Sequence, residues 1–549
     1  MPRRTQMNLF ARSLLVLTLL FALVFAVGTA VLYRCDLPIS WAIVFTVVVV
    51  GLQFVLGPYI IDWIYSINWY RPADIAPEFD AFLQELCKKR RIPVPRFGII
   101  EDGNPNAFTY GHFPGNARLV VTRGLMEMLD KQEYEAVVAH EIGHITHYDF
   151  IVMTLASLAP ALLYIFYRWS FHNRRSSAQL LPVAIGAFLC YYVSQYIVLF
   201  LSRIREYFAD EHASISVSNP NAIATALVKI GYGLARVQDP AQQAQAQGNK
   251  KQQPLFNKSQ MMGSLGICSF SSATPMALYS TTATGQFSMD HMLKAMQWDL
   301  WNPWARWFEL HSTHPLIARR IRASSWTAKK LGVEPTFPMT APPKQMAWTA
   351  FATDLGFLLA PYAGFVIGAL LGIGRDFTAP GNLLIGGTVV SRWALVPLLA
   401  GLGWMARLAY SYGKGFQRRT IVDLVGELEV SHIHSIPVEV EGQVIGRGVP
   451  GLFWSKDLVM QDETGFTTLI YRQPIGFLET LFGLFKAEGM IGRRGTFKGW
   501  YRRGPAPYIE LSNAQFDDGQ SVNCYYRTYL WVLATTTTVA GVLLYFARF

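Results

Sequence analysis

Charge is scarce in this chain. Only 15% of its 549 residues are Asp, Glu, Lys or Arg, while 51% are hydrophobic. Soluble domains carry about 25% charged residues, so an ordinary soluble globule is excluded and a membrane protein is expected. Acidic residues are the scarcer sign, 37 against 48 basic, for a net charge of +11. That excess does not call for nucleic acid, because basic residues flanking membrane spans on the cytoplasmic side produce it. Cysteine is scarce too. Cys35, Cys87, Cys190, Cys268 and Cys524 are odd in number and scattered, which excludes a disulfide framework or a cysteine zinc site and suits a reducing compartment. No internal repeat is present, and the length calls for several domains.

What the chain has instead is long uncharged runs. The first, Leu14–Tyr33, follows Arg3, Arg4 and Arg12. It is too long for a secretory signal core and lacks a small-residue cleavage site, so it reads as a signal anchor with its N-terminus inside. Further runs are Leu37–Ile61, Ile151–Tyr167, Leu180–Ser202, Leu355–Ile373, Leu383–Ala406 (interrupted by Arg392) and Thr528–Ala547. Counting crossings from a cytoplasmic N-terminus puts Asp62–Met346, apart from the loop at Trp169, and Lys414–Arg527 inside, with Phe549 outside. The four tryptophans of Trp298–Trp307 suit a membrane interface. Asp239–Pro254, rich in Gln, Ala and Lys, has the composition of a flexible linker.

Between the spans the patterning is that of folded domains. Asp74–Arg91 reads as an amphipathic helix capped by Asp74. Pro93–Ile100 and Ala117–Thr122 read as strands around a turn-forming run, Asp102–Phe108. Gly124–Leu129 and Pro220–Arg236 read as helices, the latter capped by Asn219. Thr420–Ser512 alternates short strands (Glu427–Val430, Val438–Ile445, Thr467–Tyr471) with glycine turns, which predicts a small β-barrel of OB type.

The chain is organised around Ala136–His147, which contains His140-Glu141-Ile142-Gly143-His144. Positions i and i+4 share a helix face, so both imidazoles can meet one metal ion with Glu141 beside them. Val137, Val138, Ile142 and Ile145 pack the rest of that helix. Two histidines, one carboxylate and an open position make a hydrolytic zinc site. For the third ligand the candidates are His147, Asp149, Glu206, Asp210 and His314. Arg205-Glu206-Tyr207-Phe208-Ala209-Asp210 is the best source, since Glu206 and Asp210 are i and i+4. One can bind the metal while the other holds a histidine N–H.

In order, His140-Glu-Ile-Gly-His144, Arg205-Glu-Tyr-Phe-Ala-Asp210 and Ser312-Thr-His-Pro315, with Asn104-Pro-Asn-Ala-Phe108 ahead of them, resemble HtpX-like integral membrane zinc peptidases and the related type I CAAX prenyl proteases. The resemblance spans roughly Met1 to Leu331. It implies a gluzincin with His140, His144 and Glu206 as ligands of one zinc ion per chain and Glu141 as general base. It also implies that the Asn106–Thr122 region is the sheet edge on which substrate lies, with Asn106, Ala107, Phe108, Val120 and Val121 as substrate-binding residues. Two departures stand out. Leu316 follows Pro315 where the family has a second proline, and Trp348–Phe549 has no counterpart in a minimal family member.

The expected fold is therefore a multi-pass α-helical membrane protein with an α+β zincin-type protease domain and a C-terminal OB-like barrel. Its expected domains are a membrane hairpin (1–62), a metallopeptidase domain (63–346) with its own membrane hairpin (151–202), a transmembrane pair (347–410), the β domain (411–526) and a last transmembrane helix (527–549). The expected chemistry is hydrolysis by a zinc-activated water, with Glu141 moving the proton. His314 and Arg320 are the candidate donors to the oxyanion, and Asp210 lies behind a histidine ligand. His147 and Asp149 read as structural, and His432 and His434 as exposed on one strand face. Arg493, Arg494, Lys498, Trp500, Tyr501, Arg502 and Arg503 read as a solvated face, with no nucleic acid expected. The partners are the lipid bilayer and protein or peptide substrates. The function that fits is an endopeptidase of membrane or membrane-associated proteins in quality control, at the cell membrane with its site facing the cytoplasm. A processing protease for lipidated C-termini, or a scaffold with a structural zinc, are the alternatives. A structural site has no use for Glu141.

Overall fold

The computed structural model describes residues 39–546 apart from 173–176, 237–287, 340–347, 374–381, 448–456, parts of 474–485, and positions 66, 104, 386–387 and 505–506. The expected span at Leu14–Tyr33 and the linker at Asp239–Pro254 lie outside the described residues. Contacts divide the chain into two units, one drawn from 3–277 and 306–340, the other from 278–305 and 341–549.

The first unit begins with an apolar helix, α1 (Ile39–Ile64). A four-stranded sheet follows, made of β1 (Asn68–Tyr70), β2 (Arg96–Ile100), β3 (Ala107–Tyr110) and β4 (Arg118–Thr122), in the order β1-β2-β4-β3. β2 and β4 are parallel, and β3 runs antiparallel to β4 as the edge strand. The turn residues Asp102, Gly103 and Pro105 mask β3 in the sequence, but the turn ends at Asn106. There the Asn106 N–H donates to Thr122 Oγ1 at 2.8 Å and Thr122 N–H to Asn106 O at 2.9 Å, docking β3 on β4. The edge therefore belongs to β3. Val120 and Val121, expected at the edge, lie on the inner strand β4 and are fully buried. Tyr110 on β3 donates to Asp62 near the end of α1 at 2.5 Å, and Arg118 pairs with the same carboxylate at 3.2 Å.

The helix α2 (Pro77–Arg90) starts one turn later than the capping signal at Asp74 suggests. Pro77 takes the first helical position, its fixed φ being suited to it, and Asp74 sits in a separate turn, Pro72–Ile75. Then come α3 (Arg123–Met128), α4 (Lys131–Thr146), α5 (Asp149–His172), the 40-residue α6 (Ser177–Ser216), α7 (Ala222–Arg236) and, after 306, α8 (Ile317–Lys330). α5 and α6 form a helical hairpin, packing along each other.

The second unit includes residues expected in the protease domain. Trp298 Nε1 donates to Val430 O at 2.9 Å and Asn302 Nδ2 to Leu428 O at 2.7 Å. Trp298 and Trp304 are thus core residues rather than interfacial ones, 1% and 0% exposed, because each buried indole N–H has an acceptor. For Trp304 that acceptor is Asp354, which also accepts from Tyr410. Asp354 lies on α9 (Trp348–Ile373). The expected span Leu383–Ala406 is corrected: it begins as a hairpin, β5 (Asn382–Ile385) and β6 (Thr388–Ser391), before α10 (Leu395–Ser411), which is 17 residues long. The β-branched run Thr388-Val389-Val390 after Gly386-Gly387 is a hairpin signal that overrides the apolar count. α10 packs against α9 and against α11 (Tyr526–Phe546). At Gly401 a Cβ would meet Thr538 N at 2.7 Å, so only glycine admits this approach.

By length and composition, four helical segments among the described residues can cross a membrane: Ile43–Ile64, Ile185–Ser216, Trp348–Gly372 and Tyr526–Phe546. α4 with Asp149–Ile165 qualifies only as a bent pair.

The β domain consists of β7 (Gln417–Arg418), β8 (Ile436–Arg447), β9 (Asp457–Gln461), β10 (Phe466–Ile470), β11 (Arg494–Arg503), β12 (Pro507–Phe516) and β13 (Ser521–Asn523). The pairings β8–β9–β10–β12–β11–β8 close a five-stranded barrel, with β10 and β12 parallel. Glu427–Val430 is not a strand, and His432 and His434 sit in an irregular segment before β8. Arg502 and Arg503, expected in solvent, are buried. Arg502 donates to Glu510 Oε2 (3.0 Å) and to the carbonyls of His432, Ile433 and Ser411, and Arg503 to those of Val425 and Ala295. Guanidinium groups tolerate burial when every donor has an oxygen to meet.

Candidate active site

α4 is built to hold its polar residues in a dry setting. Asp130 and Glu133 form a reciprocal capping box at its start. Ala136–Gly143 and Ile145 are all buried, so His140 gains little from solvent and must find partners within the protein, while the His144 side chain is 15% exposed. Gly143 lets α6 approach closely, since a Cβ there would meet Ala209 Cα at 3.2 Å and His212 Cβ at 3.3 Å. After α4, Tyr148 adopts a left-handed conformation (φ 58°) and the chain bends by 56° into α5. This turn swings Asp149 back beside His144.

His140, His144 and Glu206 converge. The two Nε2 atoms are 3.1 Å apart, Glu206 Oε2 is 3.8 Å from His140 Nε2, and Glu206 Oε1 is 3.7 Å from His144 Nε2. Ligand atoms around a tetrahedral ion with bonds of about 2.0–2.1 Å stand roughly 3.3–3.4 Å apart. The spacing and the donor set therefore fit one divalent ion, and this is the group among the described residues suited to holding a metal.

Behind the converging atoms, each histidine has a carboxylate. His140 Nδ1 is 3.0 Å from Asp210 Oδ1. His144 Nδ1 is 2.5 Å from Asp149 Oδ2, so Asp149 is corrected from a residue of the general framework to a partner of His144. Asp149 in turn contacts Arg205. Arg320 is also corrected. It is 1% exposed and grips Asp210 with both Nε (2.8 Å) and Nη2 (2.7 Å), with Nη1 3.2 Å from Glu206. Its donors are engaged and it does not line the cavity, so it cannot reach an oxyanion. His147 caps α4 and faces Phe208 and His212 rather than the convergence point.

Beside the convergence point lies a cavity of about 220 Å³ lined by Thr109, Glu141, His144, Glu206 and His314, with Phe150 and Met153 as its apolar wall. Glu141 accepts from Thr109 Oγ1 at 3.0 Å. His314 Nδ1 is 3.3 Å from Glu206 Oε2. The loop bearing His314 is pinned by Arg203, whose Nη1 donates to the carbonyls of Glu309 (2.8 Å), Leu310 (3.2 Å) and Ser312 (2.8 Å). Of the expected substrate-binding residues, Asn106, Ala107 and Phe108 lie at the start of β3 with buried side chains. A peptide there would meet backbone.

Sequence reasoning missed Thr109, Arg203 and Arg205, as well as the part played by Asp149. Arg203 and Arg205 precede Glu206 by three residues and by one, and that proximity was the available signal. Nothing in the sequence marks Thr109.

Two imidazoles and a carboxylate, with a second carboxylate lining the adjoining cavity, define a metallohydrolase. The sequence profile described as Peptidase family M48 matches residues 75–327. A "Protease HtpX homolog" of Methanothermobacter thermautotrophicus is 37% identical over 235 residues, covering 43% of this chain and 89% of that one. Those of Moorella thermoacetica (33%; 42% and 79% covered) and Aeropyrum pernix (30%; 51% and 84%) are similar in the same way. The chain belongs to peptidase family M48 and is a membrane metalloprotease of the HtpX-like kind. A solved structure, "Crystal Structure of S. mikatae Ste24p", overlaps with a TM-score of 0.35 at 16% identity, covering 57% of this chain and 66% of that one.

Proposed function

We propose that this protein is a zinc-dependent endopeptidase that hydrolyses peptide bonds of membrane or membrane-associated proteins in quality control, with its site facing the cytoplasm. The observation that carries the reading is the His140–His144–Glu206 convergence with Glu141 lining the adjoining cavity. The three donors are the nitrogen and oxygen ligands that suit zinc and leave a fourth position open. The ion would supply Lewis acidity, lowering the pKa of water toward about 7 and polarising a carbonyl.

The chain's own residues do the rest. A peptide aligned along β3 presents its carbonyl to the cavity. Glu141 accepts the proton of the attacking water as the new C–O bond forms, then gives it to the nitrogen as the C–N bond breaks, leaving a carboxylate and an amine. Thr109 occupies one Glu141 oxygen and fixes the carboxylate. His314, on its pinned loop, donates to the oxyanion. Asp210 and Asp149 orient the histidines. Phe150, at the start of the α5–α6 hairpin, and Met153 wall the cavity, which suits substrates drawn from the membrane surface. The barrel is proposed as OB-like on its five strands and its closure between β10 and β12.

The test is Glu141→Gln in zinc-loaded protein. A loss of turnover of roughly a thousandfold or more, with zinc retained, is expected when the base is removed from a metal site. Undiminished turnover would refute the assignment.

A further inference from the structure

The two histidines are held by matched arrangements, each a chain of imidazole, carboxylate and guanidinium. His140 leads to Asp210 and then Arg320. His144 leads to Asp149 and then Arg205. They differ in where they are rooted. Asp210 lies on α6 and is held by Arg320 from α8, whereas Asp149 is the first residue of α5 and is held by Arg205 from α6. The second chain is thus built from the two helices of the hairpin, and its side chains are only 11% and 10% exposed.

We infer that Asp149 and Arg205 form a positioning arm through which the α5–α6 hairpin sets the metal affinity of the site. This rests on the reading of His144 as a ligand. An imidazole that offers Nε2 to a metal must carry its proton on Nδ1, and an acceptor there fixes both tautomer and ring angle. Asp149 Oδ2 is that acceptor. Arg205 holds the other carboxylate oxygen, which stops Asp149 from rotating away. The left-handed Tyr148 makes the geometry possible, because a straight continuation of α4 would carry residue 149 off the His144 face. When α5 and α6 are packed, His144 is aimed. A displacement of one helix against the other breaks the Arg205–Asp149 contact and frees the ring.

The experiment uses full-length protein in lipid nanodiscs, with zinc affinity read by competition with a chromogenic chelator. Asp149→Ala is expected to weaken zinc binding by about 10–100-fold, the usual cost of losing such an outer partner. Arg205→Gln should weaken it about tenfold, and Arg205→Lys should restore part of that. The double variant Asp149→Ala/Arg205→Gln should bind no more weakly than Asp149→Ala, because Arg205 acts only through Asp149. Additive losses, or wild-type affinity in Asp149→Ala, would overturn the arm. If Asp149→Ala does not fold by size exclusion and circular dichroism, wild-type affinity in Arg205→Gln overturns it instead. His144→Ala separates the two levels. If it keeps wild-type zinc affinity, the metal-site reading itself fails. If it loses zinc while Asp149→Ala keeps it, only the arm fails.

Discussion

Thr109 donates its hydroxyl to Glu141 Oε2 at 3.0 Å, so the edge strand and the motif helix share a hydrogen bond in the lining of the cavity. The residue that would flank the proposed strand-aligned peptide also holds the group proposed to move the proton. Replacing Thr109 with Val keeps the shape and removes the donor. The expected result is a kcat lower by about tenfold, equivalent to roughly 1.4 kcal/mol, with KM little changed. Thr109→Ser should stay close to wild type. A change in KM alone, measured on a fluorogenic peptide, would assign Thr109 to substrate binding instead.

Glu206 and His147 provide a contrast in metal binding. Glu206 contributes one of three converging donors, and its removal leaves two histidines, too few for a tight tetrahedral site. His147 faces Phe208 and His212. Metal analysis of purified variants should find Glu206→Ala largely zinc-free and His147→Ala close to fully loaded. Equal depletion of both would remove Glu206 from the ligand set.

The barrel has its own acid-sensitive point. Burial works to raise the Glu510 pKa, but the charges of Arg502 and Arg472, with the Tyr412 hydroxyl at 2.6 Å, outweigh it and hold the carboxyl below its ordinary value of 4.5. A carboxylate depressed in the folded state contributes stability that is complete above its unfolded pKa and is lost as pH falls through the folded one. Glu510→Gln should therefore lower thermal stability at pH 7, by roughly 3 kcal/mol for breaking a buried pair. The gap to wild type should narrow as pH drops below 4.5. Parallel melting curves from pH 3 to pH 7 would assign the acid sensitivity to other residues.

Sidedness is open to direct labelling. Cysteines placed singly at Gly248 and Phe549 in a cysteine-free background should respond oppositely to a membrane-impermeant maleimide on intact cells, Phe549 reacting and Gly248 protected. The basis is the basic N-terminal segment, which resists translocation. Labelling at Gly248 would invert the proposed orientation.

The metal centre was legible because its logic is local. His140 and His144 are spaced by one helical turn, and Glu206 and Asp210 by another, so periodicity alone puts each pair on one face. Asp149 was not legible, because its position depends on the left-handed Tyr148, which no residue preference announces. β3 was hidden for a related reason: Gly103 and Pro105 before it signal a turn correctly but do not say where it ends. Arg502 and Arg503 were misread because basic residues normally stay in water. Their burial needs Glu510 and a set of carbonyls from distant segments, a coincidence only the folded chain creates. The run Leu383–Ala406 shows the limit of counting apolar residues, since a hairpin and a short helix satisfy the same count as one span.

The closure of β10 onto β12 has a consequence for how each sheet can meet other chains. A ring of strands has no row of unpaired peptide groups, and the outliers on this one, β7 and β13, are only 2 and 3 residues long. Among the described residues, an extended polypeptide arriving at the barrel finds only these two short edges to lengthen. At β3, which pairs only with β4 among the described residues, the outer row of peptide groups stays open, and the proposed peptide would be stitched in place there. On the proposed reading the two β structures are opposite in kind: β3 would take a guest strand by its backbone, and the barrel would meet a visitor through side chains and loops.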